Sequence, residues 1–322
     1  FKKKEVHRVV GLNRVHLENA GIEDYKSIEP TLDGYYNVFK ALKESNTAEN
    51  YYPLDIVLSE VYDIQPWMAA VGLKGGVVTD DDGKTYVPFS TDDSIPVWEW
   101  LAKLYSEDLL DPSCAVDKTT DLRDKLGAAS QLTSCAVDWA AWIGLQNANA
   151  AAENISTDQY EIVSLPGVET PDGSYMLTKG GASLWGVPVN AANPDGAKKI
   201  LEYFATQEGG ELLSVGIRDN DYTVNSDGTY TLTEIGTAHG CDHGAPVPIN
   251  EKFVNPIGYN LGVEEALSYG KYASIETPLS NEADYKEIVG KWGVQIVSGE
   301  VSAKDGLAQM REELIARGVC EK

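Results

Sequence analysis

The chain alternates short apolar runs with amphipathic stretches, and this alternation restricts the fold more than any single motif. The middle of the chain shows it best, with a hairpin, an amphipathic helix, a short strand leading into an aromatic cluster, and a strand followed by a capped helix. These segments are 75–91, 92–112, 134–142 and 180–210. Strands that alternate with helices predict an α/β fold with largely parallel sheets.

Length and charge narrow the class of protein. The 322 residues are enough for two domains or lobes. A net charge of -24 would repel phosphate backbones, so nucleic-acid binding is disfavoured, and an acidic surface favours a soluble monomer. No apolar run approaches the ~20 residues that span a bilayer. The basic start FKKKEVHRVV is not followed by an apolar signal segment, so a segment that would report export is either absent or already removed.

Capping and turn residues predict several boundaries. Thr31 is the expected N-cap of a helix over 30–45, and Asn193 before Pro194 is a strong helix start. A glycine pair at 209–210 predicts a break between two helices. Asp-Gly pairs predict two hairpins, at Asp82-Gly83 and Asp227-Gly228.

The order of these segments resembles the extracellular solute-binding proteins of ABC importers, the family of maltose- and oligosaccharide-binding receptors, and particularly the lipoprotein branch common in Gram-positive bacteria. The segments that carry this resemblance cover most of the chain, and their order and spacing make it specific. They are 11–43, 98–113, 185–217 and 296–318.

The resemblance implies two lobes joined by a hinge, with mixed sheets. Residues 1–184 and 278–322 would form the second lobe, and 185–277 the returning part of the first. The start of the first lobe, roughly a hundred residues, is expected to be missing from this sequence. A strand at 182–189 would cross between the lobes, since Gly180, Gly181 and Gly186 allow the backbone change that hinge closure needs.

Candidate ligand-binding residues are aromatic and acidic. Flat rings stack on the apolar faces of sugars, and carboxylates and indole N–H groups bind the hydroxyls. By resemblance, the aromatic after the strand near 134 stacks on ligand, which places Trp139 with Asp138 at the floor of the cleft. Core packing is the competing interpretation, and for Trp98 and Trp292 it is the better one. The expected site consists of Tyr62, Asp63, Trp67, Asp138, Trp139, Trp142, Trp185 and Tyr285.

Few features of the sequence indicate a metal site or a disulfide. The segment AHGCDHG (238–244) holds metal-ligand residue types, but its spacing fits no standard zinc finger, so we expect a polar loop and no metal or other cofactor. Cys114 and Cys135 are the better candidates for a disulfide, with two buried thiols as the equal alternative.

The predicted function is therefore capture, without catalysis, of a carbohydrate ligand, expected to be an oligosaccharide. Nucleophile-elbow, zinc-protease, P-loop and dinucleotide-binding motifs are absent from the sequence. The expected partners are this small-molecule carbohydrate and the ABC importer permease, and the expected location is the outer cell surface. A carbohydrate-active hydrolase of similar build, or a receptor fragment that binds nothing, are the alternatives.

Overall fold

In the computed structural model, residues 7–180, 185–238, 252–275 and 281–322 are described. The strands among them are β1 (Arg8–Asn13), β2 (Tyr52–Leu54), β3 (Val78–Thr79), β4 (Thr85–Tyr86), β5 (Thr133–Trp139), β6 (Ile162–Leu165), β7 (Leu177–Lys179), β8 (Tyr222–Val224), β9 (Tyr230–Leu232) and β10 (Ala273–Ile275).

Helices make up more of these residues than strands do. They are α1 (Arg14–Asn19), α2 (Leu32–Ser45), α3 (Gln65–Met68), α4 (Ile95–Ser106), α5 (Thr119–Leu126), α6 (Ala140–Ala152), α7 (Pro194–Phe204), α8 (Gln207–Ser214), α9 (Glu234–Ala238), α10 (Val263–Ser268), α11 (Glu282–Val297) and α12 (Ala303–Ala316). Short 3-10 turns flank several of them, including Val61–Ile64 before α3.

A four-stranded mixed sheet in the order β2-β5-β1-β6 organises the described part of the chain. β1 is antiparallel to both β5 and β6, whereas β2 is parallel to β5. The α/β class is confirmed, but the expectation of largely parallel pairing is wrong for this sheet. Strand direction depends on which distant segments pair, and the local alternation of strands and helices does not determine it.

The two faces of this sheet are covered by different helices. Val10 and Leu12 of β1 belong to the larger core cluster, together with apolar residues of α2, α4, α11 and α12. Val9 of β1 and Ala136 of β5 belong to a smaller cluster, together with residues of α5, α6 and α10. Alternate side chains of a strand point to opposite faces, so the sheet is a middle layer between helices.

Close packing of α10 against α6 depends on a glycine. A Cβ placed on Gly144 of α6 would lie 2.1 Å from Cγ2 of Val263, the first residue of α10. Only a residue without a side chain permits this approach. α10 also contacts β6, and β10 pairs with β7 in parallel. The stretch 263–275 therefore packs on the same layers as the first 180 residues.

The local signals are mostly confirmed. The Thr31 hydroxyl accepts a hydrogen bond from the Gly34 amide at 3.0 Å, and the Asn193 side chain accepts one from Gly196 at 2.9 Å. Both Asp-Gly hairpins form, as β3–β4 and β8–β9. The two helices predicted near Gly209-Gly210 form as α7 and α8, but the break lies at 205–206, because Thr206 caps α8 and both glycines lie inside that helix.

Cys114 and Cys135 are buried free thiols, so the predicted disulfide is not formed. The two residues are held by different elements, since Cys135 lies in the middle of β5 and Cys114 in a 3-10 turn after α4. Burial raises the pKa of the Cys114 thiol to about 12, and burial raises that of Cys135 as well. Both cysteines therefore act as small apolar core residues.

Candidate functional site at the end of strand β5

The register of β1 on β5 places Arg8 beside Trp139. The two residues are backbone partners at the end of the two central strands, where β5 ends and α6 begins. The guanidinium carbon of Arg8 lies 5.0 Å from the centre of the Trp139 ring, which is a cation–π distance. Trp139 itself is half-buried. A residue from the start of the chain therefore covers part of the aromatic face that the sequence analysis assigned to ligand.

Arg8 is held in place by a buried carboxylate. Its guanidinium forms an ion pair with Asp63, and a second carboxylate, Glu60, lies 3.7 Å away. The other Asp63 oxygen accepts a hydrogen bond from the Val57 amide at 3.1 Å. Burial raises the pKa of Asp63 to about 7, and the positive charge of Arg8 opposes that rise. Because Asp63 is 1% exposed, its role in this structure is to position Arg8.

Tyr62 belongs to the same cluster and links it to α11. The Arg8 guanidinium carbon lies 5.4 Å from the Tyr62 ring centre, and the Lys286 ammonium lies 4.5 Å from it. The Tyr62 hydroxyl donates a 2.6 Å hydrogen bond to Glu282, and this bond lowers the pKa of Glu282. We call Arg8, Tyr62, Asp63 and Trp139 the Arg8 cluster. Its aromatic rings already have cations against them.

A second arginine–tryptophan pair lies next to this cluster. Asp138, the last buried residue of β5, binds Arg123 of α5 through two hydrogen bonds of 2.6 and 2.7 Å. The Arg123 guanidinium carbon is 3.5 Å from the centre of the Trp142 ring on the first turn of α6. Asp138 also accepts a hydrogen bond of 2.7 Å from the Trp139 amide, and this bond connects the two arginine–tryptophan pairs.

A surface groove of about 460 Å³ extends from this second pair along α6. Arg123 and Trp142 form one end, and Asn149 and Glu153 line the far end of the same helix face. Trp142 is partly exposed, and Asn149 and Glu153 are exposed. Guanidinium, amide, carboxylate and aromatic groups together can bind the hydroxyls and the apolar face of a sugar-like ligand.

Two predicted site residues lie in the core instead. Trp67 is 0% exposed, and its ring meets Tyr35 edge-on at 5.1 Å between centroids. Tyr285 is 1% exposed, and its hydroxyl accepts the Gly76 amide at 2.9 Å. Neither ring presents a face to solvent, so the structure does not place them among the exposed residues at the end of β5. Both aromatics pack in the main apolar core.

The predicted hinge strand at 182–189 is only partly described. Residues 181–184 lie outside the described residues, and 185–188 form no strand. Trp185 is 46% exposed, so its indole ring is accessible. The AHGCDHG loop, except for Ala238, and the fourth cysteine, Cys241, also lie outside the described residues.

The cations of this site are not among the residues predicted from the sequence. Arg8, Arg123 and Lys286 supply the positive charges against Tyr62, Trp139 and Trp142. Arg8 stands in a strand whose residues are all buried, and an arginine in an otherwise apolar strand signals a buried partner. That signal was available in HRVVGLN, but its partner Asp63 could be found only from the fold.

Comparison with solved structures gives the fold. An HMO binding ABC-transporter-associated solute binding protein from Bifidobacterium longum infantis is 16% identical, with a TM-score of 0.64 over 97% of this chain and 72% of that one. A Thermotoga lettingae ABC transporter solute binding protein bound with alpha-D-tagatose is 14% identical, with a TM-score of 0.66 over 98% and 71%. The alginate-binding protein AlgQ2, solved without calcium ion, is 14% identical, with a TM-score of 0.64 over 99% and 71%.

Sequence comparisons find no relative. No family model matches the chain, and no curated protein matches it. The structural likeness extends over nearly the whole chain, and the resemblance inferred from the order of segments is confirmed at the level of fold. The chain has the α/β fold of the sugar-binding solute-binding proteins of ABC transporters.

Proposed function

We propose that this protein is the substrate-binding component of an ABC importer and that it captures a carbohydrate at the end of β5. The observation that carries the proposal is the arrangement of Trp139 and Trp142 there. Both tryptophans are partly exposed, and each lies next to an arginine and a buried carboxylate. The proteins of the same fold that are described above are named for binding HMO, alginate or tagatose, which supports this ligand class.

The ligand would use the parts of these rings that the arginines leave open. Arg8 and Arg123 fix the two indoles, so little side-chain freedom is lost when a sugar stacks on them. Arg123 also offers donors at the rim of the groove, and Asn149 offers an amide. Trp185, which is exposed, would contribute a further ring when the cleft closes. The solved structures of similar fold described above are binding proteins, which supports capture without catalysis.

We propose the following lobes. Residues 1–184 and 278–322 form the second lobe, and 185–277 form the returning part of the first lobe. Among the described residues, the large apolar side chains left exposed lie almost entirely between Trp185 and Ile275, with Val116 and Ile315 as the exceptions. α7 has no buried residue although one side of it is apolar. The last part of this range, 263–275, packs on the layers of the second lobe, so by packing the chain returns to that lobe before residue 263 and not at 278.

The location and partners belong to the same proposal. The protein would lie outside the cell, held there as a lipoprotein, and would deliver its ligand as a monomer to a membrane permease. No helix among the described residues is long and apolar enough to cross a bilayer.

A saccharide screen tests the proposal. The protein is heated with mono- and oligosaccharides, including alginate fragments and human-milk-type oligosaccharides, and the melting temperature is compared with a sugar-free sample. A saturable rise for at least one saccharide, with that saccharide recovered uncleaved, supports capture. Release of new reducing ends would instead identify a hydrolase, and no shift with any saccharide would contradict the ligand class.

A further inference from the structure

Three aspartates converge on one point outside the Arg8 cluster. Asp55 follows β2, Asp111 precedes the 3-10 turn at 112–115, and Asp117 lies two residues before α5. One carboxylate oxygen from each lies within 4.8 Å of the others. Asp55 is 0% exposed and Asp111 is 4% exposed. Three carboxylates have therefore been brought together in a largely buried place, where like charges repel strongly.

One lysine compensates this charge only in part. The Lys125 ammonium of α5 lies 2.7 Å from Asp111, 3.4 Å from Asp55 and in contact with Asp117. Within the described part of the chain, no other basic side chain forms an ion pair with these aspartates. Lys125 therefore supplies one positive charge to three acidic side chains, where a divalent cation would supply two.

Asp55 is also short of hydrogen-bond partners. Neither of its carboxylate oxygens accepts a hydrogen bond from any described residue, although its side chain is fully buried. Its Oδ2 meets Lys125 only at ion-pair distance. A buried carboxylate without donors is costly unless a cation binds it. The second, independent indication of a ligand is thus an unsatisfied buried oxygen directed at the cluster.

The ligand atoms suit a hard cation. All of them are oxygens, and Ser113 adds a hydroxyl that lies 2.6 Å from Lys125 and 2.9 Å from Asp117. Ca²⁺ binds oxygen at about 2.3–2.6 Å, so two of its ligands can be about 4.6–5.2 Å apart. The three carboxylates can therefore reach one Ca²⁺ without backbone movement, whereas Mg²⁺ requires a tighter, nearly octahedral shell.

We propose that Asp55, Asp111 and Asp117 form a binding site for a hard divalent cation of the Ca²⁺ class, which takes the place of the Lys125 ammonium. The Lys125 side chain is 20% exposed, so the ammonium has a route to solvent when the cation enters. The bound cation joins the end of β2, the connection between α4 and α5, and α5 itself. It does not touch the Arg8 cluster, and the proposal is independent of the carbohydrate.

Calcium titration tests the site. Chelator-treated protein is melted with and without about 10 mM CaCl₂ at constant ionic strength, and we expect a rise on the order of 5 °C if the dissociation constant is about 0.1 mM. The constant ionic strength matters because a protein of net charge -24 binds cations non-specifically. MgCl₂ should give a smaller rise than CaCl₂.

Variants distinguish calcium binding at this site from non-specific calcium binding to an acidic protein. Asp55→Asn and Asp117→Asn should each lose most of the calcium-dependent rise, whereas the exposed control Asp93→Asn should keep it. Lys125→Met should show a larger rise than the natural chain, because the competing ammonium is gone. Asp117 is the less buried of the two ligands, so its variant answers the question even if Asp55→Asn does not fold.

Two results would overturn the proposal. One is a calcium-dependent rise that is the same in Asp117→Asn as in Asp93→Asn. The other is the absence of any rise in both the natural chain and Lys125→Met, which would show that Lys125 is the permanent cation of this cluster.

Discussion

Removing the Arg8 side chain should destabilise the protein by an amount that depends on pH. In Arg8→Met, the Asp63 carboxylate keeps only the Val57 amide as a partner, although it is 1% exposed. Breaking a buried ion pair by removing one partner costs about 3–5 kcal/mol, because the remaining charge is left uncompensated. The cation–π contacts with Tyr62 and Trp139 are lost as well, at about 0.5–1 kcal/mol each.

The pH dependence follows from the direction of the Asp63 shift. In the natural chain, burial raises the pKa of Asp63 to about 7, and loss of Arg8 must raise it further. A folded-state pKa above the unfolded value of about 3.9 means that the folded state binds the proton more tightly, so stability is lost as the pH rises above about 4. The cost of Arg8→Met should therefore be larger at about pH 8 than at about pH 5.

Urea unfolding followed by tryptophan fluorescence measures this, with a double-mutant cycle as the control. Arg8→Met and Asp63→Leu should each be destabilising, and the combined variant should be more stable than the sum of the two predicts, by at least about 2 kcal/mol. A cost of Arg8→Met below about 1 kcal/mol at both pH values, or additive effects, would refute the view that this pair is buried and coupled.

Three further predictions concern packing and capping. Trp67→Ala should lower the free energy of unfolding in urea by about 3–5 kcal/mol, because the ring is enclosed in the core. A loss below about 1 kcal/mol would contradict this burial and support a place for Trp67 in the ligand cleft. Gly144→Ala should cost about 1–3 kcal/mol and speed hydrogen exchange in α10, since the added methyl overlaps Val263; unchanged exchange would contradict that packing. Thr31→Ala should cost about 1 kcal/mol by removing the N-cap of α2, while Thr31→Ser should retain most of the stability, and equal stability of both variants would exclude the cap.

Features that depend on neighbouring residues could be predicted from the sequence. Thr31 and Asn193 cap their helices because a hydroxyl or amide reaches the amide three residues on, and the Asp-Gly pairs form tight turns. The α2 stripe is buried as its helical spacing predicts, with Tyr35, Val38, Phe39 and Leu42 in the core. Such signals need no knowledge of the rest of the fold.

Features that depend on distant residues could not be predicted in this way. The antiparallel register of β1 on β5 joins positions 8 and 139, and no local pattern specifies it. For the same reason, local sequence could not tell that Trp67 is a core residue and Trp139 is not. Both follow apolar runs and have acidic neighbours in sequence, yet Trp67 packs on Tyr35 in the core and Trp139 remains half-buried at the end of β5. Burial, which decides between core and site, is a property of the whole fold.

The most direct test of the proposed function is saccharide titration of the natural chain and of Trp139→Ala by isothermal calorimetry. Trp292→Ala is the matched control, because Trp292 is also partly buried and hydrogen-bonds to Glu313 on α12, away from β5. If Trp139 stacks on the sugar, its removal should weaken binding by about ten-fold or more, while the control binds normally and both variants remain folded. Equal binding by Trp139→Ala and Trp292→Ala, or unfolding of Trp139→Ala, would contradict the assignment of the ligand site to the end of β5.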